Sequence, residues 1–353
     1  MYEEKILIGT DTTSGIAPQI LDAIAEASHI KTLPYGNDII TEECKNVVKN
    51  IFEKSDLEII PMVSGTASNS LALSSFLRSY GSVICHNDAH INKDEGGAPE
   101  FFSGGGKLLT ISNSLGRIKA EDLLKKINEI NFKRKSSSLI SGVSITQLAE
   151  NGTFYTLDEI GAIREICKKN NLYLHMDGAR FSNALVSQEL ISPAQATWKV
   201  GVDCLSLGAT KNGAMAAELI IFFNKTLASE AQNLIKQTGH VISKTRFVSA
   251  QLNAWFKDGL WLELAKLANK NALYLRNQLS QFNDFKILYP TQGNEVFIKM
   301  SHLSYENILK LNIIPNLWNK IDNDHLVVRF VTSFETTSSQ INEIINRLKT
   351  YFN

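Results

Sequence analysis

The sequence predicts an α/β protein in two parts: a large domain, residues 1–245, with a mostly parallel seven-stranded sheet, and a smaller C-terminal α+β domain, residues 246–353. Three observations support this prediction. Short apolar runs alternate with amphipathic stretches from about residue 58 to 223, which is typical of a parallel sheet covered by helices. Long helical stretches replace this alternation beyond about residue 245. With 353 residues, 44% of them hydrophobic, the chain can build one large core and a smaller one.

Seven apolar runs are the predicted strands of the large domain, because each is short, apolar and bounded by polar segments. In chain order they are 58–63, 82–85, 107–111, 139–143, 172–176, 204–207 and 219–223. The periodic segment 157–170 is a predicted helix, since Thr156 and Glu159 have the spacing of a capping box. The polar run 133–138 is predicted to be an ordinary surface loop.

The C-terminal part begins with two long predicted helices, 244–258 and 260–281, and Asp258-Gly259 signals a break between them. Short strands follow at 285–289, 295–299 and 326–331, and a closing helix begins near residue 337. Helices followed by short strands and a last helix are typical of a separate α+β domain.

Charge and composition narrow the classes of function. Lys plus Arg and Asp plus Glu both number 36, so no global field attracts nucleic acid or an anionic membrane. The N-terminus lacks the pattern of a secretory signal, and no apolar run approaches the roughly 18 to 20 residues of a membrane span. Four scattered cysteines without a C-x-x-C pair are typical of reduced thiols. We therefore expect a cytoplasmic protein that binds neither nucleic acid nor membrane.

The turn after the first predicted strand is a candidate phosphate site, because ligands of open α/β sheets bind beyond the carboxyl ends of the strands. Gly65 and Thr66 lie there, directly before a helical stretch. Small residues at such a turn expose backbone N–H groups that suit a phosphate. A tight turn capped by a hydroxyl is the alternative. The segment is not a Walker loop, since no Gly-Lys-Ser/Thr follows.

His90 lies just after the strand 82–85, four residues beyond His86. This spacing raises the possibility of a metal, but Asn87 stands where the zinc motif has Glu, and the segment does not lie inside a helix. We therefore expect no metal. A planar imidazole packed against a flat aromatic ligand is the better functional hypothesis, and a hydrogen-bonded loop histidine is the alternative.

Asp177 and Lys211 follow two neighbouring predicted strands, and Arg180 comes three residues after Asp177. A structural pair of Asp177 and Arg180 is one interpretation. The combination of a carboxylate and a lysine on neighbouring strand ends, with a phosphate-type turn on the same rim, is what pyridoxal 5'-phosphate needs. The carboxylate keeps the pyridine nitrogen protonated, and the lysine forms a Schiff base with the aldehyde.

Longer stretches resemble a known family. "HMDGARF" at 175–181 and "SLGATKNG" at 206–213 resemble the low-specificity L-threonine aldolases, pyridoxal phosphate enzymes of fold type I (aspartate aminotransferase-like) in the β-eliminating lyase group. Further similar stretches are "YGND" at 35–38, "SGTASNSLAL" at 64–73, "ICHNDAHINKDEGGAPEFFSGGGKLL" at 84–109 and "RFVSAQ" at 246–251. The resemblance extends from about residue 8 to the region of Arg329, which is nearly the whole chain.

The resemblance implies four catalytic residues. Lys211 would bind the cofactor covalently, and Asp177 would pair with its pyridine nitrogen. Arg180 would lie near the phenolic oxygen of the cofactor and help to fix the substrate. His90 would stack on the ring, and it is a candidate for the base that acts on the substrate hydroxyl.

The resemblance also implies a phosphate site shared between subunits of a homo-oligomer, a dimer or a tetramer. Gly65 and Thr66 would bind the phosphate from one subunit. Basic residues of the segment 236–246 would reach it from the neighbour, and the candidates are Lys236, Lys244 and Arg246. A solvated helix face is the alternative for each of these three.

The substrate contacts and the reaction follow from the same resemblance. Thr10, where relatives often carry Ser, Tyr35, Arg180 and Arg329 would bind the amino acid, with Thr10 and Arg329 on its α-carboxylate. The expected reaction is aldol cleavage of L-threonine, L-allo-threonine and related β-hydroxy-α-amino acids to glycine and an aldehyde. Two alternatives stay open: another pyridoxal phosphate reaction, such as transamination or β-elimination, and a non-catalytic protein that keeps the fold for binding.

Overall fold

A computed structural model of the chain describes residues 4–114, 116–132, 139–188 and 191–352. The run 133–138, predicted to be a loop, lies outside the described residues. The strands are β1 Ile6–Leu7, β2 Glu58–Met62, β3 Gly81–His86, β4 Lys107–Ile111, β5 Leu139–Thr146, β6 Tyr173–Gly178, β7 Cys204–Gly208, β8 Glu218–Phe222, β9 Lys286–Ile287, β10 Glu295–Ser301, β11 Ile313–Ile314, β12 Asn316–Lys320 and β13 His325–Val331.

Helices connect and cover these strands. The α-helices are α1 Pro18–Ser28, α2 Ile39–Ile51, α3 Gly65–Ser74, α4 His90–Lys93, α5 Ala98–Phe102, α6 Ala120–Phe132, α7 Leu157–Lys169, α8 Phe181–Ser187, α9 Lys225–Gln237, α10 Arg246–Phe256, α11 Leu260–Leu279, α12 His302–Lys310 and α13 Ser338–Leu348. Short 3₁₀ turns lie at Asp11–Thr13, Thr210–Asn212 and Lys257–Gly259.

Seven of the described strands form the large sheet, in the order β2-β8-β7-β6-β5-β3-β4. Neighbours among β3 to β7 pair in parallel, whereas β8 runs antiparallel to both β7 and β2. The prediction of a mostly parallel seven-stranded sheet is confirmed. The strand β8 reverses direction because only the short segment 209–217 joins it to β7, and a parallel return would need a crossover of a dozen or more residues.

Two apolar layers cover the two faces of this sheet. Along β8, Leu219 and Ile221 belong to one buried cluster, and Ile220 and Phe222 belong to the other. Successive side chains of a strand point to opposite faces, so a strand with helices on both sides must be apolar throughout. This burial on both faces explains why the strands read as unbroken apolar runs rather than as alternating patterns.

The predicted helix boundaries agree closely with the structure. The helix α7 begins after Thr156, whose hydroxyl accepts a hydrogen bond from Glu159 N in a full capping box. The predicted break between α10 and α11 is a 3₁₀ turn in which Asp258 and Gly259 have positive φ angles of 53° and 77°. Glycine adopts this left-handed conformation without strain, so Gly259 can begin the new helix direction.

A second, antiparallel sheet with the order β12-β13-β10-β9 follows in the C-terminal part. Its core contains residues of α11, β10, β13 and α13 together with Ile8. The pair β1 and β11 joins the two ends of the sequence in parallel, with Ile6 opposite Ile313. The sequence analysis did not identify β1, β11, β12 or α12, because these elements are short or only partly buried. The division of the chain at residue 245 stays a prediction.

Replacing Leu174 with alanine tests the burial of the large sheet. Leu174 is fully buried in β6, and such a truncation typically costs about 2–5 kcal/mol, because the lost contacts leave a cavity. Chemical denaturation should show a clearly lower midpoint for L174A. Leu273→Ala on α11, where the leucine is 48% exposed, is the control and should leave the midpoint nearly unchanged. Equal effects of the two substitutions would contradict the assigned burial.

Candidate active site

One cavity opens at the carboxyl ends of the parallel strands. The pairing places Thr146, Asp177 and Ser206 side by side on β5, β6 and β7, so the segments that follow these strands meet at one edge. The cavity has a volume of about 240 Å³. Its lining includes six residues that the sequence analysis selected: Gly65, Thr66, His90, Asp177, Arg180 and Lys211.

Asp177 is held rigidly at the floor of this cavity. Its side chain is buried, and Oδ2 accepts a hydrogen bond of 2.9 Å from Asn69 Nδ2, while Oδ1 accepts one of 3.0 Å from Ala179 N. Both oxygens therefore accept a hydrogen bond that fixes the direction of the side chain. A carboxylate held in this way can pair with a protonated ring nitrogen in the cavity.

A hydrogen-bonded chain connects Asp177 to His90. Asn69 Nδ2 also donates to Glu95 Oε1 at 2.8 Å, and the same oxygen lies 2.9 Å from His90 Nδ1. The hydrogen bond with Glu95 raises the pKa of His90, and burial raises the pKa of Glu95. The imidazole therefore keeps its second proton to a higher pH than a free histidine does.

Lys211 lies on the 3₁₀ turn that follows β7, and its side chain is half-buried. Gly213 ends this turn at a φ of 97°, a conformation that a residue with a Cβ atom rarely adopts. Among the residues that the structure describes, none forms a hydrogen bond or ion pair with Lys211 Nζ. The positive charge of Lys211 acts to lower the pKa of nearby carboxyls, Asp11 and Glu150 among them. The amine is thus free to form a covalent bond with a ligand in the cavity.

The N-terminus of α3 faces the same cavity. Ser64 caps this helix by accepting a hydrogen bond of 3.2 Å from Ala67 N, while the N–H groups of Gly65 and Thr66, in the first turn, have no acceptor within the helix. A Cβ atom built on Gly65 meets no atom within 4 Å, so there is open space beside this backbone. Free N–H groups and the helix dipole together suit an anion such as a phosphate.

Arg180 is bound by two buried carboxylates. It donates from Nε to Asp11 Oδ2 at 2.8 Å and from Nη2 to Asp11 Oδ1 at 3.1 Å, and Nη1 lies 3.4 Å from Glu295 Oε1. Burial alone would raise the pKa of Asp11, but the charges of Arg180 and Lys211 outweigh burial and lower it. Arg180 is thus paired with Asp11, and the alternative interpretation of a structural pair between Asp177 and Arg180 does not hold.

The other predicted substrate residues are absent from the lining of the cavity. Thr10 caps the 3₁₀ turn Asp11–Thr13, and Tyr35 is 59% exposed. Arg329 is buried, donates to Glu295 Oε1 at 3.1 Å and to Gly9 O at 3.2 Å, and stacks on the ring of Trp318. The roles of Thr10, Tyr35 and Arg329 stay predictions.

The three basic candidates for the neighbouring subunit also lie away from this cavity. Lys236, at the end of α9, and Lys244 are exposed. Arg246 Nε donates to Ala27 O at 3.3 Å, and its guanidinium stacks on Phe247. Their roles in a second copy of the chain stay predictions.

The sequence analysis missed several carboxylates around the cavity. Glu150 follows β5, but the predicted strand ended at residue 143, so this glutamate was not examined as a strand-end residue. Glu218 and Glu295 are the first residues of β8 and β10, so a search of the carboxyl ends of strands cannot find them. Asp11 lies in a 3₁₀ turn outside the large sheet, and only its spacing of one residue from Thr10 could have drawn attention to it.

The residues of the cavity fit pyridoxal 5'-phosphate, the cofactor that the sequence predicts. The N-terminus of α3 offers N–H groups for a phosphate, Asp177 offers a carboxylate for a ring nitrogen, and Lys211 offers an amine for an aldehyde. All three line one cavity. The amine of Lys211 is half-buried and has no bonded partner among the described residues. A covalent ligand explains this observation most directly.

In the described part of the chain, no group of three or more His, Cys, Asp or Glu side chains is placed to hold a metal ion. No helix in the same part of the chain combines the length and the apolar character that a membrane crossing requires.

Comparison with known proteins agrees with this geometry. The model of the family described as Beta-eliminating lyase matches residues 8–302. The low specificity L-threonine aldolase of Pseudomonas sp. (strain NCIMB 10558) is 40% identical over 87% of this chain and 87% of its own length. The solved threonine aldolase of Leishmania major superposes with a TM-score of 0.91 at 27% identity, covering 98% of this chain and 99% of that chain.

A more distant structure has the same fold. The histidinol-phosphate aminotransferase of Clostridium acetobutylicum has a TM-score of 0.69 at 16% identity, over 99% of this chain and 98% of that chain. The fold type I architecture predicted from the sequence is thereby confirmed. Since the family model matches residues 8–302 and a 40% identical relative covers 87% of the chain, the chain belongs to the beta-eliminating lyase family.

Proposed function

We propose that this protein is a pyridoxal phosphate-dependent aldolase that cleaves L-threonine and related β-hydroxy-α-amino acids to glycine and an aldehyde. The main support for this proposal is that one cavity is lined by Lys211, Asp177 and the N-terminus of α3. The similarity to low-specificity L-threonine aldolases supports this reaction over the other reactions of the fold.

The cofactor, when bound, supplies an aldehyde that joins amino groups and a ring that accepts electrons. Lys211 would hold it covalently, and Asp177 would keep the ring nitrogen protonated. The backbone N–H groups of Gly65 and Thr66 would bind the phosphate. His90, which is 32% exposed in its side chain, would pack against the ring and present a proton.

The substrate has an α-carboxylate and a β-hydroxyl group, and the protein must bind both. Arg180 and Arg329 would provide positive charge for the carboxylate, since a guanidinium can bind it through two parallel hydrogen bonds. Thr10 and Tyr35 would complete this part of the site. When the proton of the β-hydroxyl is removed, its oxygen forms the carbonyl of the leaving aldehyde, and the electron pair of the Cα–Cβ bond stays with the glycine fragment.

We also propose a homo-oligomer with shared sites, a dimer or a tetramer. The exposed Lys236 and Lys244, together with Arg246, would then reach the phosphate of a neighbouring subunit. A cytoplasmic location is part of the same proposal. Four free cysteines, all buried, are compatible with a reducing compartment.

A panel of substrates separates the aldolase from its alternatives. The holoenzyme should release an aldehyde from L-threonine, L-allo-threonine and phenylserine. It should not produce pyruvate from cysteine at a comparable rate or transfer an amino group to a 2-oxo acid. A protein that takes up pyridoxal phosphate but forms no aldehyde would favour another reaction of the fold, and one that cannot take up the cofactor would favour a non-catalytic role.

Replacing Lys211 with alanine should abolish threonine cleavage, because no other amine lines the described cavity. The visible absorbance of the protein-bound cofactor should disappear with it, and borohydride should no longer link the cofactor to the protein. Lys266→Ala, which removes an exposed lysine of α11, should change neither measurement. Normal turnover of K211A would refute the assignment.

Arg329→Ala should raise the KM for threonine roughly ten- to hundredfold, as expected for the loss of a charge-assisted hydrogen bond, with a smaller effect on kcat. Steady-state kinetics measure this as far as KM follows substrate affinity. Arg78→Ala is the control, since Arg78 forms an exposed ion pair with Glu230. A KM equal to that of the wild type would exclude carboxylate binding by Arg329.

A further inference from the structure

Glu150 lines the cavity of the candidate active site, although no sequence pattern points to this residue. It follows β5, the parallel neighbour of β6, and it lines the same cavity as Asp177 and Lys211. Its side chain is buried, with 9% of the residue exposed. A glutamate is almost never buried to this extent unless it is paired or has a chemical task.

Charged groups from five surrounding segments face Glu150. They are His90 of α4, Asp177 of β6, Arg180 after β6, Lys211 after β7 and Glu295 of β10. Burial raises the pKa of Glu150 to about 7; Lys211 and His90 act to lower it, whereas Asp177 and Glu295 act to raise it. The carboxyl can therefore gain or lose a proton at the pH at which the protein works, as an efficient acid–base group must.

The carboxyl of Glu150 has no hydrogen-bond partner among the residues that the structure describes. Asp177, another carboxylate of the cavity, accepts hydrogen bonds from Asn69 and Ala179. The oxygens of Glu150 are thus open to a ligand.

His90, the candidate base from the sequence, is less suited to accept a proton. Its Nδ1 is engaged with Glu95, and this hydrogen bond raises the pKa of the imidazole. Arg180 remains protonated at any ordinary pH, and Lys211 would be bonded to the cofactor. Glu150 combines a place in the lining of the cavity, oxygens without a hydrogen-bond partner among the described residues and a pKa of about 7.

We propose that Glu150 is the catalytic base that accepts the proton of the substrate's β-hydroxyl group. The inference rests on the proposed aldolase function. In this step the O–H bond breaks as a new O–H bond forms on Glu150. The electron pair left on the substrate oxygen becomes the second bond of the aldehyde C=O, and the Cα–Cβ pair stays with the glycine fragment. Glu150 then passes its proton to water when the aldehyde leaves.

The test compares the holoenzymes of Glu150→Gln and Glu150→Asp with that of Glu218→Gln, the matched control. The control removes another buried carboxyl of the cavity, and burial raises the pKa of this carboxyl to about 7 as well. Because a base acts only when ionised, kcat/KM for threonine in the wild type should rise with pH through about 7 and then level. E150Q should lower kcat/KM at least about a hundredfold and lose this rise. E150D should keep the rise at a reduced rate, and E218Q should keep it as well.

Two further measurements distinguish a base from a structural residue. Glycine has no hydroxyl group, so E150Q should still exchange the α-proton of glycine with deuterated water at close to the wild-type rate. Infrared difference spectra of the full-length protein between pH 6 and pH 8 should show a protonated carboxyl that ionises, and E150Q should lose this band. Cofactor uptake by E150Q, followed by absorbance, should match that of the wild type.

The outcomes separate the inference from the function it rests on. If the wild type cleaves threonine and E150Q cleaves it with an unchanged rate and pH profile, Glu150 is not the base, while the aldolase stands. If E150Q no longer takes up the cofactor, the inference is overturned and Glu150 has a structural role. The same conclusion follows if E150Q loses glycine exchange to the same extent as threonine cleavage. A wild type that binds the cofactor but releases no aldehyde would refute the proposed function itself.

Discussion

The parallel pairing of β5, β6 and β7 is the constraint on which the rest of the site depends. Parallel strands end at the same edge of a sheet, and the register places Thr146 opposite Asp177 and Asp177 opposite Ser206. The segments that leave these three strands therefore share one small volume. A change of register by one residue would turn each of these side chains to the other face of the sheet, so the buried apolar layers that fix the register also fix the chemistry.

A second feature of the structure is that several charged side chains are buried close together. Isolated buried charges are costly, and the structure balances them in pairs and chains. Asp11 and Glu295 surround Arg180, and Glu295 also accepts from Arg329. These contacts fix the direction of both guanidinium groups. A side chain held in one direction in advance loses little conformational entropy when it binds a ligand.

The sequence predicted the large sheet, several helix boundaries and six of the residues that line the cavity. It placed Asp177 and Lys211 at the cavity because a polar residue directly after an apolar run is visible without a structure. The roles of these two residues stay predictions. It did not find Glu218, which lines the cavity, or Glu295, which contacts Arg180, because each begins a strand that pairs antiparallel with its neighbours. The partner of Arg180 could not be found from local pattern, because Asp11 is 169 positions away and such a contact depends on the packing of the whole molecule.

The pairing of Ile6 with Ile313 has a consequence for the order in which the protein folds. Closing a loop of this size is entropically unfavourable, and such distant contacts form late compared with local ones. Asp11 lies a few residues after β1, so its ion pair with Arg180 depends on a contact between segments that are far apart in the chain. Asp177 and Lys211 instead follow neighbouring strands of the large sheet. The positions of Asp177 and Lys211 therefore depend on contacts that form early, whereas the position of Arg180 depends on contacts that form late.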